Sequence, residues 1–219
     1  MPFDADISQT PAIGVLFDSG PEPGSGGVKI RYAREEEIFG EGEPAEYVYK
    51  VLSGAVRTYR ILRDGRRQID EFHFAGGYFG IEAGTEHRTT AEAMADCTVL
   101  VARRFSAEDL AGQRGDVARQ LFQLTIAGLQ RSQDHVVLLG RKSACERVAS
   151  LLLDLSDRSG NADTLDIPMS RQDMADYLGL TIETVSRTLT QLQSDGVIEI
   201  PTTRRIVLSD RAMLEDMVE

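Results

Sequence analysis

From Ser170 to Gly196 the chain reads SRQDMADYLGLTIETVSRTLTQLQSDG, and its apolar positions fall at helical spacing in two short runs. Met174, Ala175 and Leu178 give the first run one apolar face, with Ser170 placed to accept from the backbone N–H of Gln172 or Asp173 as an N-cap. Gly179 follows, where the chain must turn and a left-handed backbone costs least. Thr181 can cap the second run, in which Val185, Leu189 and Leu192 recur at spacings of four and three and so face inward. That assignment turns Glu183, Ser186, Arg187 and Thr190 to the opposite face, near the helix N-terminus. Beyond it, Val197-Ile-Glu-Ile, a turn through Pro201-Thr-Thr-Arg204-Arg205 and Ile206-Val-Leu208 predict two short strands with basic residues at their tip. Helix, turn, helix and wing in this order predict a DNA-binding unit whose second helix enters the major groove.

The chemistry expected of that face follows from its residue types. Arg187 can grip O6 and N7 of guanine in a bidentate fork, Glu183 can accept from the N4 amine of cytosine, and Ser186 can touch a neighbouring base. Arg204 and Arg205 on the wing, with Ser170, Arg171, Thr181, Thr184 and Thr190 around the two helices, are candidates for backbone phosphate or secondary contacts, which position a protein without reading sequence. Glu183 and Arg187 also make an i, i+4 pair of the kind that laces any solvated helix, and their spacing alone leaves both readings open.

Upstream the pattern changes. From about Val28 to Ala111 short alternating runs are punctuated by glycine: Val48–Leu52, Ala55–Leu62 and Arg67–Phe74 read as strands, Asp64-Gly65 as a hairpin turn, and Ala91–Arg103 as further strand. This predicts an all-β roll or barrel. Asp116–Leu139 reads as one long helix with two apolar stripes. Val117, Leu121, Leu124, Gly128 and Leu138 form one, and Phe122, Ile126, Leu129 and Val136 the other. A helix apolar on two sides has two partners. One is expected to be its own roll and the other the same helix of a second copy, with Gly128 permitting close approach and Gly140 breaking the helix as a hinge. Ala144–Leu155 is the next helix, Ser156–Leu165 a polar loop, and Asp210–Met217 a last helix expected to pack on the wing. Residues 1–27, rich in glycine, proline and serine, read as a flexible tail in which Val15-Leu16-Phe17 can tuck against the roll. The domains expected are thus residues 1–27, 28–111, 112–140 and 141–219.

Composition narrows the reading. The 219 residues carry a net charge of −11, which argues against a histone-like, non-specific DNA binder. Residues 141–219 are also net acidic, so affinity must come from a local cluster of Arg171, Arg187, Arg204 and Arg205 and from base contacts. No run is long and apolar enough for a membrane span or a secretory signal, so the protein is expected in the cytoplasm. The two cysteines, Cys97 and Cys145, are far apart and show no metal-ligand spacing. Both fit small buried hydrophobes. Cys145 lies in the first turn of its helix, where the thiol pKa is lowered, an effect that burial would cancel, and is the candidate redox thiol of the two. No carboxylate pair, triad or metal cluster suggests an enzyme.

Gly40-Glu-Gly42, Tyr47-Val-Tyr-Lys-Val-Leu-Ser-Gly54, Asp64-Gly65-Arg66 and Gly77-Tyr-Phe-Gly80 resemble the cyclic-nucleotide-binding fold. With the winged helix behind them, the chain from about Val28 onward resembles the CRP/FNR family of bacterial transcription regulators. Glu183-x-x-Ser186-Arg187 is similar to the motif of the FNR and FixK branches, whose targets are palindromes of the TTGA…TCAA type. The resemblance implies an α+β protein with an N-terminal β-roll, a long dimerisation helix and a C-terminal winged helix-turn-helix. It also implies a homodimer that activates genes of microaerobic or anaerobic respiration or of nitrogen fixation through contact with RNA polymerase. In cAMP-binding relatives a glycine–glutamate pair and an arginine–serine pair hold the nucleotide. Here Gly80 and Glu82 are separated by one extra residue, Thr89 follows Arg88 in place of serine, and Glu86 brings a carboxylate toward the phosphate position. The resemblance therefore implies a vestigial pocket at Gly80, Glu82, Arg88 and Thr89. FNR proper holds an iron–sulfur cluster with four cysteines, which this chain cannot supply, and its three histidines are scattered. The departures point to the FixK-like branch, typically active without a cofactor and controlled by how much protein is made. The alternative from another class is a cyclic-nucleotide-responsive module that regulates a protein partner through the winged helix.

Overall fold

The computed structural model describes residues 27–104, 115–160 and 163–218. The expectation of a flexible tail, and of Val15-Leu16-Phe17 tucking against the roll, lies outside the described residues.

Residues 28–103 form two four-stranded antiparallel sheets. One is ordered β1 (Val28–Tyr32), β8 (Cys97–Arg103), β3 (Tyr47–Ser53) and β6 (Tyr78–Phe79). The other is ordered β2 (Glu37–Phe39), β7 (Thr90–Ala93), β4 (Ala55–Ile61) and β5 (Arg67–Phe74). Phe39, Tyr49, Val51, Val56, Phe79, Ala91, Cys97 and Val99 meet between them as the roll's core. The stretch read as one strand over Ala91–Arg103 is two, because the chain crosses from one sheet to the other at Met94–Asp96. Gly65 stands at φ 84° in the β4–β5 turn, which pairs Ile61 with Arg67.

Strand β4 departs from alternation: Ala55, Val56, Arg57 and Thr58 are all buried. Val56 faces the roll's core, whereas Ala55 joins Ile69 and Phe72 of β5 in a cluster shared with the C-terminal helices. The second sheet is therefore covered on both faces. Fully burying a side chain such as Ile69 or Phe72 is worth about 1.5–3 kcal/mol, so the C-terminal unit is seated on the roll.

Helix α1 (Gly115–Arg141) is 27 residues long. Gly140 does not break it. The helix continues to Arg141, and the turn comes at Lys142–Ser143, where the Arg147 guanidinium takes the carbonyls of Leu139 (2.8 Å) and Lys142 (2.9 Å). A cation on last-turn carbonyls offsets their missing partners. Leu121 and Leu124 pack against Val48 and Ala102 of the roll, while Phe122, Ile126, Leu129, Val136 and Val137 stand exposed.

Helix α2 (Ala144–Arg158) begins with a Ser143/Glu146 capping box and buries Val148, Leu151, Leu152 and Leu155. It extends beyond Leu155 into the expected loop. That loop also holds β9 (Thr164–Asp166), a third wing strand beside β11 (Arg205–Leu208) and β10 (Ile198–Thr202). Helix α3 (Arg171–Leu178) and helix α4 (Ile182–Ser194) are joined by Gly179 at φ 60°, the left-handed turn. Helix α5 (Arg211–Asp216) packs chiefly on α2, with Leu214 buried, rather than on the wing. Among the described residues no helix is long and apolar enough to cross a membrane.

Candidate nucleic-acid interface

Helix α4 is two-faced because its sequence is. Val185, Leu189 and Leu192 are almost wholly buried against α2 and α3, fixing the helix's rotation. Glu183, Ser186, Arg187 and Thr190 are all exposed on the other side. The Thr181 hydroxyl accepts from the Thr184 backbone N–H at 3.2 Å and lies 3.1 Å from the Thr184 hydroxyl, so both threonines are spent on capping. Thr190 gives its hydroxyl to the carbonyl of Ser186 at 3.0 Å. The Arg187 guanidinium has no hydrogen bond or ion pair within 4.0 Å among the described residues; the i, i+4 pair with Glu183 is not closed. Backbone and Thr181 hydrogen bonds at the helix start, with the Arg187 charge, hold the Glu183 carboxyl below its ordinary range. It stays an ionised acceptor at neutral pH.

Around this face the phosphate candidates differ in freedom. Arg204 is exposed at the wing tip. Arg205 is exposed but ion-paired with Asp166 of β9 at 3.0 Å, so a phosphate must draw it from that carboxylate. Arg171 is half-buried, bends back toward Met174 Sδ at 3.4 Å, and burial lowers its pKa. Ser170 caps α3 by accepting from the Asp173 N–H (3.1 Å), and its hydroxyl donates to the Asp173 carboxylate (2.7 Å). Sequence reading missed the company Asp173 keeps: Arg57 and Arg67, which pass for ordinary strand residues, reach it from the roll. No local signal marked them, because β4 and β5 carry other polar residues and the partner lies more than 100 residues away.

In the roll, Gly80 sits at φ 72° with no room for a Cβ beside the Tyr49 ring. The Glu82 carboxylate accepts from the Arg88 backbone N–H at 3.0 Å, and Arg104 donates to the carbonyls of Glu82 and Gly84, both at 2.5 Å. Thr89 is buried and Arg88 is exposed. The residues expected to outline a vestigial pocket thus lie on one loop, where Glu82 is spent on that loop's own backbone. His87 beside them is buried, stacked on Phe39 with ring centroids 3.6 Å apart, and burial lowers its pKa.

The redox-thiol expectation needs correction. Cys145 is half-buried, and burial, Glu146 and Asp195 push its thiol up, not down. Two carboxylates and desolvation outweigh the helix start. Cys97 is buried and pushed up to about 11.

Two protein families match the chain: the Crp-like helix-turn-helix domain over residues 146–217 and the cyclic nucleotide-binding domain over residues 29–114. It is 48% identical over 193 residues to the nitrogen fixation regulation protein FixK of Azorhizobium caulinodans, covering 86% of this chain and 78% of that protein. The protein of the same name from Rhizobium meliloti is 43% identical over 188 residues, 85% of this chain and 86% of that one. Among solved structures, FixK2 from Bradyrhizobium japonicum superposes with a TM-score of 0.84 at 48% identity, covering 88% of this chain and 98% of that chain.

Proposed function

The chain belongs to the FixK-like branch of the CRP/FNR family of DNA-binding transcription regulators, and from that premise we propose that it acts as a homodimer reading a palindrome of the TTGA…TCAA type. The observation that carries this reading is the two-faced α4: an apolar side locked into the core and an exposed polar side led by Glu183, Ser186 and Arg187. In each half-site Arg187 takes the guanine, Glu183 the cytosine amine across the pair, and Ser186 an adjoining base. Arg204 and Arg205 meet phosphate on the flanks.

The dimer reading is supported by α1. Phe122, Ile126, Leu129 and Val136 recur at spacings of three, four and seven, the period of a coiled-coil seam, with Gln133 filling the remaining position. Phe122 is 66% exposed and Val136 68%, on a helix whose opposite stripe is already packed on the roll. A second α1 covers this stripe; Gly128 falls instead on the side of Leu121 and Leu124, which pack on the roll. A two-fold axis along α1 sets two recognition helices about one turn of DNA apart. The FixK relatives are regulators of nitrogen fixation by name. We place this chain in the cytoplasm in the same role, activating such genes, or those of oxygen-poor respiration, through contact with RNA polymerase.

Light scattering of the purified protein, beside fluorescence anisotropy with a TTGA…TCAA duplex and a scrambled one, tests the reading. A dimer that binds the palindrome with two chains per duplex is expected. A monomer, or equal affinity for both duplexes, overturns it.

A further inference from the structure

Between the roll and the helix-turn-helix, two arginines from neighbouring strands meet two carboxylates on one helix. Arg57 of β4 donates through Nη1 to Asp173 Oδ1 at 2.9 Å and through Nη2 to Glu92 of β7 at 2.5 Å. Arg67 of β5 donates through Nη2 to the same Asp173 oxygen at 2.6 Å and through Nε to Asp176 at 2.7 Å. The other oxygen of Asp173 accepts from the backbone N–H of Ser170 at 2.9 Å, which begins α3. Arg57 is 9% exposed and Asp173 3%. Tyr59 donates to Glu92 at 3.1 Å and carries Arg67 above its ring.

Stability does not account for this cluster. Buried ion pairs roughly break even against apolar side chains of the same size, and Arg57 Nε is buried without an acceptor among the described residues, which costs stability. What a forked guanidinium supplies is direction: it bonds at one angle and one register, where an apolar contact tolerates sliding. The helix held is the one that matters. Helix α3 packs against α4 in one core, so its angle on the roll is the angle of the recognition helix. The roll, in turn, is packed on α1 through Val48, Ala102, Leu121 and Leu124. An unbroken series of packed elements therefore runs from the α1 stripe to α4. Single polar contacts also cross it, from Gln68 and His135 to the Tyr177 carbonyl, from Arg158 to the Phe72 carbonyl and between Arg131 and Glu71, but the buried joint in which two guanidinium groups grip the carboxylates of α3 is at Arg57 and Arg67.

We propose that Arg57 and Arg67 are positioning residues for DNA recognition: by fixing α3 on the roll they set the separation of the two recognition helices, and so the half-site spacing the dimer accepts. The inference rests on the dimer reading above. Inserting or removing one base pair moves a half-site by about 3.4 Å and turns it by about 34°, more than a rigid joint follows.

The test is anisotropy at one salt concentration against duplexes whose half-sites are separated by the preferred spacer and by one and two base pairs more or less, beside a duplex with a single half-site. The wild type is expected to lose about tenfold or more for a single step, as a misplaced base contact does. The Arg57→Gln/Arg67→Gln variant is expected to bind all spacings within about threefold, with single half-site affinity near the wild type's, since no base contact is touched. A variant that is merely less stable loses affinity at every spacing alike and keeps the wild-type preference, which overturns the proposal. Should the double variant fail to fold, Arg67→Gln alone, which leaves Arg57 on Asp173, decides: a flattened preference supports the proposal and an unchanged one overturns it. A wild type indifferent to spacing sinks the dimer reading and this inference with it, whereas a discriminating wild type beside an equally discriminating variant sinks this inference alone.

Discussion

Arg187→Ala is the sharpest probe of the recognition helix because the side chain does nothing else. It is exposed, on a helix held from the opposite face by Val185, Leu189 and Leu192, and among the described residues no ion pair ties it within 4.0 Å. Folding stability is therefore expected to change by no more than about 0.5 kcal/mol, as for an ordinary surface substitution. Each bidentate arginine–guanine contact is worth about 1–3 kcal/mol of discrimination. A homodimer makes it twice, so the palindrome is expected to lose about 2–6 kcal/mol, a factor of roughly 30 to 10⁴. The assay is anisotropy with the palindrome and with duplexes carrying each base pair exchanged in turn, urea denaturation providing the stability control. The variant should be indifferent to exchange of the guanine that the wild type requires, yet still discriminate at the other positions. An equal loss on palindrome and scrambled DNA would show a phosphate contact instead, and the assignment of Arg187 to a base edge would fall.

Arg205→Ala is expected to weaken binding to all sequences alike and to lower the steepness of the salt dependence by about two phosphate contacts, one from each protomer; an altered base preference refutes that role. Burial in the roll pulls the His73 pKa down to about 4 from 6.5 and lowers that of His87. Both are held neutral while the unfolded chain takes up protons below pH 6.5. Stability is thus expected to fall between pH 6.5 and 4, by about 3 kcal/mol for His73 at about 1.4 kcal/mol per pH unit. Urea midpoints of the wild type and His73→Gln should converge across that window, and parallel profiles refute the assignment. At pH 7.5 Cys145, its pKa raised by burial and two carboxylates, should alkylate with iodoacetamide more slowly than glutathione. A faster reaction restores it as a candidate redox thiol.

The sequence disclosed those parts of the molecule whose pattern is local. The spacing of Val185, Leu189 and Leu192 sets which face of α4 is buried, and the Ser170 cap and the Gly179 turn are written in single residues. It failed where a strand serves two masters. Alternation assumes one wet face, but β4 lies between the roll's core and the helix-turn-helix, so four successive residues are buried, Arg57 among them. The same limit hid the partners of Arg205 and Asp173, which lie 39 and more than 100 residues away in sequence. Cys145 turned on burial, the factor the sequence named and could not decide. The helix start was visible in the sequence, but the desolvation and the Asp195 charge that overrule it come from packing. Gly140 was misread because flexibility in a glycine is only a permission; the Arg147 guanidinium decides where α1 ends by collecting its last carbonyls.

The acidic balance of the chain is reconciled with DNA binding by where the acids are spent. A charge acts over about 8 Å at physiological ionic strength, so net charge matters less than the charge within that distance of phosphate. Asp173, Asp176 and Glu92 are paired with Arg57 and Arg67 at the roll, which leaves one negative charge there, and Glu71 and Asp154 with Arg131 and Arg158 beside α1. Asp157 and Glu215 are held by Arg211 near α5. At the proposed DNA face, among the described residues, Arg187 and Arg204 form no ion pair and Arg205 pairs with the exposed Asp166. The acids are thus mostly paired away from the recognition face, where Arg187, Arg204 and Arg205 outnumber Glu183 and Asp166. A protein arranged this way discriminates against non-specific duplex, because affinity develops only when α4 is seated in the groove and those few arginines come within reach together.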